Sequence, residues 1–89
     1  FSKEGAVTIN QPVFIGNNVV IKDSTIGPNV SIGNNCVVSN SYIESAIVYN
    51  NSEVSNASLK NSILGFNCKY NGANKEIFLG DYSQINNNE

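Results

Sequence analysis

The feature that most constrains this chain is a series of large aliphatic residues whose spacing belongs to neither a helix nor a lone strand. Ile9, Ile15, Ile21, Ile26, Ile32, Val38, Ile43, Val48, Val54, Leu59 and Leu64 follow one another at steps of 6, 6, 5, 6, 6, 5, 5, 6, 5 and 5. An α-helix repeats near 3.6 residues and a strand every 2, so a different periodic object is needed. From Ile15 onward, a small or β-branched residue stands two positions before each aliphatic: Val13, Val19, Ser24, Val30, Cys36, Ser41, Ala46, Ser52, Ala57 and Ser62. Residues two apart on a strand share a face, so each triplet reads as a short strand with two inward side chains. Just before the small residue comes a turn-former: Pro12, Asn18, Asp23, Asn29, Asn35, Asn40, Ser45, Asn51, Asn56, Asn61 and Asn67. Asparagine and aspartate tolerate left-handed backbone and bond their own turn, which suits a corner. The uneven step is absorbed at the corners and leaves the strands intact.

A repeat this short cannot close a core, but stacked coils bury a continuous one. With three strands per coil, Ile9, Ile26, Ile43 and Leu59 stack on a first face. Ile15, Ile32, Val48 and Leu64 stack on a second, and Ile21, Val38 and Val54 on a third. The expected fold is an all-β, single-chain parallel β-helix of about five triangular coils, about 24 Å long at ~4.8 Å per coil. Asn18, Asn35, Asn51 and Asn67 fall into one corner column, where a ladder of asparagines is expected.

Residues 1–6 read as a linker or cap and 7–85 as the β-helix domain. Within it, 71–76 reads as a loop leaving the stack, after which Ile77 to Ile85 return to the pattern; 86–89 reads as a frayed tail. The chain has 89 residues, which is one domain, and it starts at Phe1 without the regions of a signal peptide, as an excised piece of a longer protein would. Net charge is −2 with five lysines and no arginine, a poor surface for nucleic acid. No run of 18 apolar residues marks a membrane span. Cys36 and Cys68 occupy the same inward slot two coils apart, roughly 9–10 Å, beyond disulfide reach. Reduced core thiols fit a cytoplasmic protein. Eight of the seventeen asparagines sit at predicted corners, which argues against an asparagine-rich disordered tract.

The ingredients of catalysis are missing. There is no histidine, the serines fill strand slots with no base beside them, and the carboxylates are scattered singly. Gly16, Gly27, Gly33, Gly65 and Gly80 each follow an aliphatic and read as turn glycines, because no phosphate-cradling spacing surrounds them. No catalytic, cofactor-binding or metal-binding residue is assigned.

The repeating unit, as in Ile26 to Asn35 (IGPNVSIGNN), resembles the hexapeptide repeat of left-handed parallel β-helices, over about 70 residues. The left-handed sense is implied by that resemblance alone. The run PVFIGNNVVIKDSTIGPNVSIGNNCVV, the pentads SYIESAIVYNNSEVSNASLKNSILG and the closing FLGDYSQI together resemble one domain. It is the C-terminal β-helix of long-form glucose-1-phosphate thymidylyltransferases and related sugar nucleotidyltransferases. The resemblance implies a non-catalytic assembly or regulatory domain. Its parent would join a sugar 1-phosphate to a nucleoside triphosphate, releasing pyrophosphate, with magnesium in a catalytic domain outside these residues. The alternative is a fragment of a hexapeptide-repeat acyltransferase or of a bifunctional enzyme, which would use a histidine absent here.

Each strand leaves one position pointing outward. On the first face these are Thr8, Thr25, Tyr42 and Ser58, and on the third Val20, Val37, Glu53 and Lys69. The second face carries Phe14, Ser31, Ile47 and Ile63, a mostly apolar stripe on a flat surface. Phe14, Ile47 and Ile63 are therefore the candidate interface. They are expected to support a homo-oligomer, dimer or trimer, or to dock the parent's catalytic domain, unless Phe1 to Gly5 cover them.

Overall fold

The structure, a computed structural model, describes residues 1–72 and the backbone of Glu76–Phe78; the expected rung at 79–85 and the tail at 86–89 lie outside the described residues. Every described element is a strand: β1 Ser2–Glu4, β2 Thr8–Ile9, β3 Val13–Ile15, β4 Val20–Lys22, β5 Thr25–Ile26, β6 Val30–Ile32, β7 Val37–Ser39, β8 Tyr42–Val48, β9 Glu53–Ser55, β10 Ser58–Leu64, β11 Lys69–Asn71 and β12 Glu76–Phe78. From β2 to β11 they wind as a parallel β-helix. The first face stacks β2, β5 and the leading halves of β8 and β10. The second stacks β3, β6 and their trailing halves. The third stacks β4, β7, β9 and β11.

The register reproduces the aliphatic columns. Ile9 pairs with Ile26, Ile26 with Ile43 and Ile43 with Leu59. Ile15, Ile32, Val48 and Leu64 form the second column, and Val30 and Ile32 are both buried on the same side of β6. The third column runs Ile21, Val38, Val54 and then Tyr70, a buried aromatic in the slot that aliphatics hold in the other coils.

The described residues make four coils rather than five. The fifth was expected from Ile77 onward, but β12 runs antiparallel to β11, with Lys69 opposite Phe78 and Asn71 opposite Glu76. Only four residues separate β11 from β12. A parallel return to the same face needs a crossover of a dozen residues or more, so this connection can only reverse. Asn71 itself stays in the stack, opposite Ser55. At the other end, within residues 1–6, β1 adds a strand to the end of the third face, with Lys3 opposite Ile21.

The corners match the sequence pattern closely. Asn18, Asp23, Asn29, Asn35, Asn40, Ser45, Asn51, Asn56, Asn61 and Asn67 all have positive φ, between 47° and 63°. Pro12 is the single predicted corner that does not, because its ring holds φ near −65°. Step length is a property of each corner. The turn from third to first face takes five residues and the turn from second to third takes six, in every coil. The turn from first to second takes six in coils one and two, and five in coils three and four. That shortening lets β8 and β10 run unbroken through Ser45 and Asn61. Left-handed backbone costs an ordinary residue about 1–2 kcal/mol, less for asparagine and nothing steric for glycine. Asn35→Ala is therefore expected to lower stability by about 1 kcal/mol and Asn35→Gly by less than about 0.5 kcal/mol, read from urea unfolding.

The buried serines bind successive coils together. Ser24 Oγ accepts the Ser41 N–H at 3.1 Å and donates to Lys22 O at 2.8 Å. Ser41 Oγ accepts the Ala57 N–H at 3.3 Å and donates to Ser39 O at 2.7 Å. Ser52 Oγ does the same between the Cys68 N–H at 3.2 Å and Gly65 O at 2.7 Å. Serine in the small slot thus satisfies inward N–H groups next to the left-handed corners, which alanine could not do. Among the described residues no buried side-chain nitrogen or oxygen lacks a partner.

Candidate interaction face

Outward positions on the second face lie in one register: Phe14 against Ser31, Ser31 against Ile47, and Ile47 against Ile63. Phe14 is 72% exposed and Ile47 38%, while Ser31 and Ile63 are half-buried. The structure thus brings all three candidate interface residues into a single column. β1 does not cover it, since Ser2–Glu4 pair on the third face. Phe1 does reach the open end of the prism, where it shares a shallow depression with Phe14, Ile9 and Ile15.

The six-residue corner bordering this face has a construction of its own. Its extra residue is Asn17, Asn34, Asn50 and then Phe66 in successive coils. Asn34 Oδ1 accepts the Asn17 N–H at 2.8 Å, and Asn50 Oδ1 accepts the Asn34 N–H at 2.7 Å. The side-chain ladder therefore runs through these residues. The predicted Asn18, Asn35 and Asn51 take the left-handed turns instead, and the N–H groups of Asn35 and Asn51 bond to backbone carbonyls one coil away. The preceding glycines are part of the same device. A Cβ on Gly16 would strike Asn34 Oδ1, and one on Gly33 would strike Asn50 Oδ1. Neither has positive φ, so they are glycine for clearance, not for turning; of the predicted turn glycines within the described residues, only Gly27 is left-handed, at φ 101°.

Between coils three and four the device is replaced. Tyr49 stands where glycine would, Phe66 stands where asparagine would, and the two rings stack at 4.8 Å. A groove runs beside the column, with Phe14, Ser31 and Ile47 along one wall, Gly16 and Gly33 in its floor and Tyr49 at its end. The aromatic pair was not singled out from the sequence. The signal was there: Ile15-Gly16-Asn17-Asn18 and Ile32-Gly33-Asn34-Asn35 give way to Val48-Tyr49-Asn50-Asn51 and Leu64-Gly65-Phe66-Asn67.

The remaining candidates serve the fold or the solvated surface. Cys36 and Cys68 are both buried and form no disulfide. Cys36 Sγ donates to Tyr49 O at 3.1 Å, and burial pushes this thiol's pKa up. Tyr42 donates to Glu44 Oε1 at 2.8 Å, and that carboxylate raises the phenol's pKa. Glu53 and Lys69 stand opposite in register on the third face. Among the described residues no three His, Cys, Asp or Glu side chains gather to hold a metal, and no helix is long and apolar enough to cross a membrane.

No curated protein and no solved structure matches the chain. A family model does, over residues 9–88, from the second strand through the whole stack of coils. With that match covering nearly its full length, the chain belongs to the GMPPB C-terminal domain family, the C-terminal domains of nucleotidyltransferases.

Proposed function

We propose that this chain is the non-catalytic assembly domain of a sugar-1-phosphate nucleotidyltransferase. The observation that carries the reading is the family match over residues 9–88. The chemistry agrees with it. The chain contains no histidine or arginine, and its buried serines are engaged within the coil stack. The parent reaction would join a sugar 1-phosphate to a nucleoside triphosphate with release of pyrophosphate. Magnesium, which the resemblance implies for that reaction, would be held by the parent's catalytic domain. The sequence resemblance favours a thymidylyltransferase forming a nucleotide-linked glucose, whereas the matched family carries a different name, so nucleotide and sugar are the variables to test. Buried reduced thiols favour a cytoplasmic setting. The apolar second face gives the domain a surface on which to assemble.

The full-length protein should release pyrophosphate with one pairing from a panel of nucleoside triphosphates and sugar 1-phosphates. The 89-residue chain should release none with any of them. Turnover proportional to purified chain would overturn the non-catalytic reading, and a full-length protein inactive on the whole panel would overturn the nucleotidyltransferase reading.

A further inference from the structure

The second face has a relief that repeats in inverse along its own length. Coils three and four raise a ridge at one corner, Tyr49 stacked on Phe66, whereas coils one and two have Gly16 and Gly33 there, flooring a groove. Along the middle of the face, Ser31 in coil two leaves a notch and Ile47 in coil three projects. A two-fold axis lying in the plane of the face, along the strand direction, exchanges coil one with coil four and coil two with coil three. It keeps each corner opposite its own counterpart. The ridge then meets the groove, Ile47 meets Ser31, and Phe14 meets Ile63. Self-complementarity of one patch is what an isologous interface requires.

We propose that this face binds the same face of a second copy, with the two coil axes antiparallel. The inference rests on the reading of the chain as an assembly domain and names its partner. Charge does not oppose this arrangement. No residue of β3 or β6, nor of 46–48 or 62–64, is charged. The nearest charges, Glu44 and Lys60, would face the uncharged corner residues Pro28 and Gln11 of the partner copy. A two-fold axis along the coil axis would instead set Phe14 on Phe14 and turn the ridge away from the groove. Four rungs of about 4.8 Å and a strand with its corners give a face about 20 Å square, so the contact buries about 800 Å² in total. That is a small interface, and the dimer is expected to dissociate in the micromolar range or above.

The experiment is sedimentation velocity across a concentration series on the chain and three variants, with circular dichroism to show that each remains folded. Phe14→Glu and Ile63→Lys change outward side chains and leave the inward slots untouched. Each alone should weaken dimerisation about tenfold or more, by burying a charge against an apolar partner. The double variant F14E/I63K should recover dimerisation, because the antiparallel register sets each new carboxylate against a new ammonium. A double variant weaker than either single variant would establish a parallel register and overturn the proposal. So would single variants that associate as the parent does, or a parent chain that stays monomeric throughout the series. This readout involves no nucleotide, so its failure leaves the pyrophosphate assay intact, and the reverse holds as well.

Discussion

Ile43→Ala is expected to lower the free energy of unfolding by about 3–4 kcal/mol, the upper part of the range for a fully buried isoleucine. Ile43 has no exposed surface and sits between Ile26 below and Leu59 above, in a column closed on both sides. Truncation there removes three methylene-sized groups and leaves a cavity that the stacked rungs cannot collapse, because hydrogen bonds hold them at fixed spacing. Ile9 occupies the same slot on the same face, but it is half-buried and pairs with a described rung on one side only. Ile9→Ala should cost less than half as much. Urea unfolding of both variants gives the comparison. A small domain has only about 5 kcal/mol to lose, so the Ile43 variant should already be partly unfolded near 50 °C. Equal losses at the two positions would mean that the open end is packed as tightly as the middle.

What could be read in advance followed from how redundant each signal is. The inward columns are marked several times over, by aliphatics, by small residues two positions earlier and by a corner residue before those. One misplaced slot would flip a whole strand. Ten corners were legible for the same reason. The ladder was placed one residue out because Asn17-Asn18, Asn34-Asn35 and Asn50-Asn51 are identical dipeptides. Spacing shows that a corner is there, but not which asparagine turns and which reaches to the next coil. Tyr70 lies outside the aliphatic series, and its slot is marked only by Asn67 and Cys68 before it. The reversal at β12 was missed because counting residues per face says nothing about chain direction once the repeat is broken. The candidate stripe was legible since outward positions follow once inward ones are known. The ridge beside it was not, because it appears only as an exception to a rule that the ladder geometry reveals.

That rule can be tested directly, since the molecule contains both its observance and its exception. Gly33→Ala places a methyl group against Asn50 Oδ1 and close to the Asn50 amide nitrogen, so the asparagine must swing away and release the Asn34 N–H it holds at 2.7 Å. Overpacking together with the lost hydrogen bond should cost about 2–3 kcal/mol. The cost comes from the clash with the asparagine and not from backbone preference, because Gly33 has no positive φ. One coil further on, Tyr49 occupies the glycine position without harm, as its counterpart in the next coil is Phe66. Substituting both residues, Gly33→Tyr with Asn50→Phe, copies that pair one coil earlier and should restore at least half of the stability lost in Gly33→Ala. The same double substitution fills the groove into which the partner's ridge would fit. Thermal unfolding should therefore show recovery while sedimentation shows a loss of dimer. A double variant less stable than Gly33→Ala would mean that glycine is required there for some reason other than room for the ladder.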